Sequence, residues 1–238
     1  MAKERLDKLI ASTGRWSRRE VKTLVREGRV LVDGRIAGSA EEKYDAESCR
    51  IAVNGEELPL RRHTYVMLHK PAGVLSATED GRGRTVLDLL TPELRKIGVF
   101  PVGRLDKDTE GLLLLTDDGE LAHALLSPKK HVDKVYYARV SGRLTPEDCA
   151  AFEAGMTLGD GLECLPAGLE ILTAGETSEC LVTLREGKFH QVKRMLAARG
   201  KPVEYLKRLS MGPLRLDDTL APGEFRLLTA AEEAQLQR

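Results

Sequence analysis

The chain has 238 residues, 42% of them hydrophobic and 31% charged, with 37 basic groups balanced by 37 acidic ones. That balance fits a folded protein, either one substantial domain or a large one with a small one, and excludes a disordered or fibrous chain. No apolar run approaches the ~20 residues of a membrane helix, and Met1–Arg5 leads straight into a charged helical pattern, so a cytoplasmic protein is expected. Cys49, Cys149, Cys164 and Cys180 are scattered, without a Cys-x-x-Cys pair or a nearby His, and read as reduced structural thiols rather than a zinc or disulfide framework.

The neutral total hides an asymmetry. Residues 1–35 hold ten basic groups against five acidic ones, the stretch 185–208 holds eight against two, and the tail from Asp217 is acidic. Basic segments on a neutral chain are the footprint of a polyanion binder, although charge by itself points first to a solvated surface.

In chain order, Leu6, Leu9 and Ile10 stand at helical spacing and Gly14 reads as a stop. Ser17 and Glu20 form a capping-box pattern that opens a second helix, with Val21, Leu24 and Val25 on its apolar face and Gly28 at its end. Val30-Leu31-Val32 then runs into Asp33-Gly34, a strong hairpin signal. The polar stretches 54–57 and 59–62 read as a linker, which divides the chain into a small unit over 1–60 and a larger one over 61–238.

In the larger unit, Tyr65–Val74 reads as an apolar strand broken by Pro71 and Gly73. Strands are expected near 99–104, 112–116, 134–140, 168–172, 179–184 and 203–209, and helices near 120–126, 145–154, 190–199 and 229–237. The irregular mixture, without βαβ spacing or a Gly-x-Gly-x-x-Gly loop, predicts an α+β fold with a mixed, mainly antiparallel sheet and a central cleft.

The stretch 103–111 sets Asp106 in a polar loop between the apolar runs Val99–Val102 and Leu112–Leu115. A loop held at both ends by buried strands can carry a precise site, though spacing alone leaves a solvated turn equally open. The nearby acids Asp108, Glu110, Asp117 and Asp118 read as structural, with Asp117-Asp118-Gly119 forming a turn before a helix. Between Glu186 and Leu196, the apolar Phe189, Val192 and Leu196 share helical spacing, which turns Lys193 and Arg194 onto other faces. Alternation over 134–140 sends Tyr136 and Tyr137 to opposite sides of a strand. His69, His123, His131 and His190 share no metal-type spacing and read as surface or core residues.

Gly103-Arg104-Leu105-Asp106 resembles the Gly-Arg-Leu-Asp signature of the RsuA-like pseudouridine synthases, which are of the small-subunit ribosomal RNA type. His69-Lys70-Pro71-Ala72-Gly73 resembles the element that opens the catalytic domain of that family, and Lys134-Val135-Tyr136 its Lys-x-Tyr strand start. Gly187–Met195 resembles its Gly-Lys/Arg-x-His/Arg-Gln-Val/Ile-Lys/Arg-Arg-Met motif, and Leu220–Thr229 its Leu-x-x-Gly-x-x-Arg-x-Leu-Thr ending. The N-terminal helix, helix and hairpin, with Arg5-Leu6-Asp7-Lys8 and Ser17-Arg18-Arg19, resemble the S4 RNA-binding module. The matching pieces run in the family's order from Arg5 to Glu232.

The resemblance implies that Asp106 is the catalytic carboxylate, Lys193 the cation that holds it ionised, and Tyr136 the aromatic residue against the target base. Arg104 and Leu209 would contact the substrate, and Arg5, Lys8, Arg18, Arg19, Lys22 and Arg29 would bind RNA. Many relatives carry Arg at the position of Lys193; lysine keeps the charge but loses the planar fork. The implied reaction converts a uridine of 16S ribosomal RNA, free or in a partly assembled small subunit, to pseudouridine. It needs no cofactor or metal, and a monomer without membrane or obligate protein partner is expected. Three alternatives stay open: a 23S enzyme of the same family, a non-catalytic S4-type ribosome-assembly protein, and a glycosidase-type hydrolase, which would normally need a second carboxylate.

Overall fold

The computed structural model describes residues 3–46, 48–58, 60, 62–81, 83–127 and 130–236. Pro59 and Arg61 of the expected linker, and Gln237 of the expected last helix, lie outside the described residues. The chain divides into two compact units: one runs to Thr64 and takes in Leu90–Val99 and Thr116–Asp118, and the other holds the rest.

In the first unit, helix α1 covers Leu6–Ala11 and α2 covers Arg18–Arg26. The capping box forms as its residues dictate: the Glu20 backbone N–H donates to the Ser17 hydroxyl, and the Ser17 N–H donates to the Glu20 carboxylate at 2.7 Å. The Asp33-Gly34 turn has φ of 49° and 78°, both left-handed, and links the antiparallel strands Val30–Val32 and Arg35–Ile36. Ile51–Val53 pairs with the other side of Val30–Val32, and Glu56–Glu57 completes a four-stranded sheet. Leu6, Leu9, Ile10, Val21 and Leu24 from the helices pack on Val30, Val32, Ile51 and Val53, all buried. Helix α3, Pro92–Ile97, belongs to this unit and went unforeseen in the sequence reading. Its signals were present: a Thr91 cap, Pro92 in the first turn and Gly98 at φ 87°. α1 ends at Ala11, and Gly14, at φ 74°, runs so close to α3 that a Cβ there would lie 2.3 Å from the Glu93 carbonyl oxygen.

The second unit is built on a sheet that counts nine strands among the described residues. Its central ribbon places Lys134–Ser141 antiparallel between Thr177–Leu184 and Val203–Met211. Gly168–Thr173 extends one side, while on the other Val203–Met211 pairs in parallel with Glu110–Thr116, followed by Tyr65–Lys70 and Phe225–Leu227. The parallel pair needs Gly111: at φ 106°, a Cβ there would stand 2.2 Å from the Arg208 carbonyl oxygen. Helices α4 (Gly119–Leu126), α5 (Pro146–Ala154), α6 (Gln191–Ala198) and α7 (Ala230–Leu236) follow the expected helices closely. Among the described residues, no helix is long and apolar enough to cross a membrane. The α+β class with a mixed, mainly antiparallel sheet is what the sequence predicted.

Three local expectations are corrected. The strand near 99–104 contracts to Phe100–Pro101, because Pro101 offers no N–H and Gly103 turns at φ 80°. α6 starts only at Gln191, since His190 is left-handed at φ 50°; Phe189 therefore falls off the helical face and stands 75% exposed. A β-bulge interrupts Val203–Met211: Tyr136 faces Arg208 while Val135 faces Ser210, leaving Leu209 as the extra residue.

Candidate active site

Asp106 sits in the loop between Phe100–Pro101 and Glu110–Thr116, and the segment after Tyr65–Lys70 pins that loop from beneath. Lys70 is fully buried and its ammonium donates to three carbonyls: Pro71 at 3.0 Å, Lys107 at 3.2 Å and Thr109 at 2.8 Å. The Gly73 N–H donates to the Lys107 carbonyl at 2.7 Å. The Ser76 hydroxyl donates to the Leu105 carbonyl at 2.9 Å and accepts from the Leu105 N–H at 3.0 Å. Burial draws the Lys70 pKa down to about 8, against the pull of the charges on Asp108, Asp106 and Glu110. The loop carrying Asp106 is thus fixed through its backbone on both sides of the carboxylate.

Lys193, in the first turn of α6, reaches this loop from a distant part of the chain. Its Nζ lies 3.1 Å from Asp106 Oδ2 and donates to Asp108 Oδ1 at 2.5 Å. Burial works against the ammonium, but the bonds to Asp108 and Asp106 outweigh it and lift its pKa above that of an ordinary lysine. The same bond from Lys193 holds the Asp108 carboxyl below the usual range. Asp108, read from sequence as structural, is therefore a second anion on the same lysine. His190 is also corrected: its Nε2 stands 3.5 Å from Asp106 Oδ1, so it belongs to the site rather than to surface or core. No spacing rule would have found it, because its place depends on a left-handed backbone at the start of α6.

One cavity is lined by Arg104, Asp106, Tyr136, Leu206, His190 and Lys193. Tyr136 is buried and lies on the sheet face shared with Leu206 and Arg208; Tyr137 takes the opposite face, as alternation requires. Arg104 is exposed at the edge. Leu209 is a correction: with Val135, Leu181, Thr183 and Ser210 it lines a different cavity, because the bulge turns it away from Tyr136. Leu206, missed in the sequence, lines the pocket with Asp106 and Tyr136, as do Leu105, Leu184 and Val192. Arg208, on the same face, is buried, and its Nε donates to the Leu112 carbonyl at 2.8 Å, which helps tie the parallel strands beneath the loop.

Chemically, the pocket presents a carboxylate about one quarter exposed, ion-paired to a lysine, opposite a buried phenol. Such a set can steady a developing positive charge, attack an electrophilic carbon or move a proton. No cluster of three potential metal ligands occurs among the described residues.

Residues 64–198 match the family described as RNA pseudouridylate synthase. The chain belongs to the RNA pseudouridine synthase family. An uncharacterized RNA pseudouridine synthase, YtzG, of Bacillus subtilis (strain 168) is 51% identical over 96% of both chains. The ribosomal small subunit pseudouridine synthase A of Vibrio cholerae is 40% identical over 98% of this chain and 99% of its own. The ribosomal large subunit pseudouridine synthase B of Bacillus subtilis (strain 168) is 39% identical, covering 98% and 96%. A solved pseudouridylate synthase, 35% identical, superposes with a TM-score of 0.68 over 98% of this chain and 99% of its own. This pseudouridine synthase also carries an S4 domain, matched over residues 4–48.

On the S4 domain, the sequence-predicted cations separate into groups. Arg5, Arg18, Arg19 and Lys22 gather with Asp7 and Glu41 around one surface hollow. Asp7 is fully buried and accepts from Arg5 Nε at 3.1 Å and from Arg18 Nη2 at 3.0 Å. Glu41 accepts from Arg5 at 2.8 Å and from Lys22 at 3.4 Å. Lys8 pairs instead with Glu4, and Arg29 with Glu27 and Asn54, outside that cluster. Four cations against two carboxylates leave the hollow positive, suited to a phosphate.

Proposed function

We propose that this pseudouridine synthase isomerises a uridine of small-subunit ribosomal RNA, with residues 1–60 as the RNA-binding module and 61–238 as the catalytic domain. Asp106, Lys193 and Tyr136 act on the target nucleoside and Arg104 contacts the RNA beside it. The observation that carries this reading is the convergence of Asp106, Lys193 and Tyr136, from three separate segments, on one cavity. Support for the small subunit comes from the His190–Met195 motif, the Leu220–Phe225 ending and the names of small-subunit relatives.

The isomerisation breaks the bond between N1 and C1′, turns the uracil over and joins C5 to C1′; C5 then loses its proton and N1 gains one. Asp106 serves the sugar while that bond is broken and remade. Lys193 sets an opposite charge 3.1 Å from Asp106, which offsets the repulsion between that carboxylate and the RNA phosphates. Tyr136, on the wall of the pocket, faces the base and is suited to take the C5 proton. The uridine must leave its stack to enter, at a cost of a few kcal/mol, and Arg104 at the edge is placed to offset it through phosphate contact. Phosphate contacts from the S4 cluster position the RNA while the catalytic pocket reads the base.

A large-subunit target is the second reading, favoured by the similarity to an enzyme named for that subunit. Mapping pseudouridines in both ribosomal RNAs of cells lacking the protein decides between them. Loss of a 16S site with every 23S site intact is expected; loss confined to 23S overturns the assignment.

A further inference from the structure

We infer that Phe189 is a stacking platform for a nucleobase flanking the target uridine. The inference rests on the proposed role of Asp106 and extends it to how the RNA is held at the mouth of the pocket. Phe189 is 75% exposed, the most exposed large apolar side chain among the described residues. Nothing in the fold requires this, since α6 buries Gln191, Val192, Met195 and Leu196 and leaves Phe189 outside the helix.

Its ring nevertheless has a stacking partner. Phe189 stacks on His190 with ring centroids 3.8 Å apart and planes inclined by 18°. That separation is close to the ~3.4 Å rise between stacked nucleotides. His190, whose left-handed backbone at φ 50° starts α6, lines the pocket and presents its Nε2 3.5 Å from Asp106. His190 thus touches Asp106 through Nε2 and Phe189 through its ring face, which sets the Phe189 ring next to the pocket. A base laid on the Phe189 ring would extend the His190–Phe189 stack beside the pocket that receives the uridine. Exposed aromatic rings are the usual supports for unstacked RNA bases, and they are sequence-tolerant because every base has a π-face. Phe189 is thus a positioning residue: it holds the neighbouring nucleotide while the uridine is turned in toward Asp106.

Phe189→Ala, Phe189→Leu and Phe189→Trp test this, since an exposed ring can be replaced without disturbing the core. Binding of a 16S ribosomal RNA transcript is measured across a salt series, and tritium release from C5-labelled uridine gives kcat/KM. Phe189→Ala is expected to weaken binding and kcat/KM about tenfold. The slope of affinity against salt stays that of the wild type, because no charge is lost. Phe189→Trp restores both quantities and Phe189→Leu, which keeps bulk without a π-face, does not. Phe189→Ala within twofold of wild type in both assays, or rescue by leucine as complete as by tryptophan, overturns the inference. An error in the role of Asp106 shows separately, as turnover surviving in Asp106→Asn while the binding results stand.

Discussion

Asp7 in the S4 domain is fully buried and takes bonds from Arg5 and Arg18, whereas Asp106 in the catalytic unit keeps about a quarter of its side chain exposed and shares Lys193 with Asp108. The first hollow sets four cations against two carboxylates; at the second, Lys193 bonds two carboxylates, and Arg104 and Lys188 also line the pocket. Burial raises the cost of ionising Asp7, yet the bonds from its two arginines hold its pKa below the ordinary carboxylate value. The result is a sealed anion that holds two guanidinium groups in place. Around Asp106, one ammonium serves two carboxylates, so negative charge remains reachable from the pocket. Similar ion-pair chemistry thus leaves a positively charged hollow in one unit and a partly exposed carboxylate in the other. The clearest difference between the two carboxylates is exposure.

Replacing Lys193 is the hardest test of that contrast. Lys193→Met leaves Asp106 and Asp108 without their shared cation, and kcat in the tritium-release assay is expected to fall about 100-fold. Lys193→Arg should retain most of the rate. A Lys193→Met enzyme within threefold of wild type would mean that the lysine is only part of a solvated helix face.

A smaller effect is expected from pH. The Lys70 pKa of about 8 lies below its unfolded value of 10.5, so the folded protein gives up this proton first. Between those values the unfolded chain binds more protons, and the contribution of Lys70 to stability rises with pH. The Asp106 loop nonetheless loses its ammonium over the same window. kcat/KM should therefore decline severalfold above pH 8 while the melting temperature shows no matching loss from this group. Lys193, with its raised pKa, stays charged there and cannot produce that limb. A flat rate profile from pH 7 to 10 would remove Lys70 from the account.

The S4 side should respond most mildly. Arg18→Ala removes one phosphate contact and should lower the slope of log affinity against log salt by about one, with kcat unchanged. An unaltered slope would show that Asp7 holds Arg18 for structure alone.

Much of this was legible in local chemistry. The Ser17–Glu20 box, the Asp33-Gly34 turn and the alternation around Tyr136 each specify their own structure within a few residues. What stayed hidden depends on the backbone or on distance. Leu209 occupies a bulge, and period-2 reasoning has no means of seeing an extra residue in a strand. The place of His190 follows from its left-handed backbone at φ 50°, a conformation that periodicity of side chains does not signal. The Lys193–Asp108 bond joins positions 85 residues apart. Helix α3 buries only Leu94 within its six residues, so its apolar pattern was too slight to register although its caps were present.

The most direct measurement is tritium release from C5-labelled uridine in 16S ribosomal RNA, comparing the wild type with Asp106→Asn at equal RNA occupancy. The account predicts release by the wild type and at least a 1000-fold lower rate for the variant, with RNA affinity within twofold because the S4 cluster is untouched. Comparable release by the two proteins would contradict it.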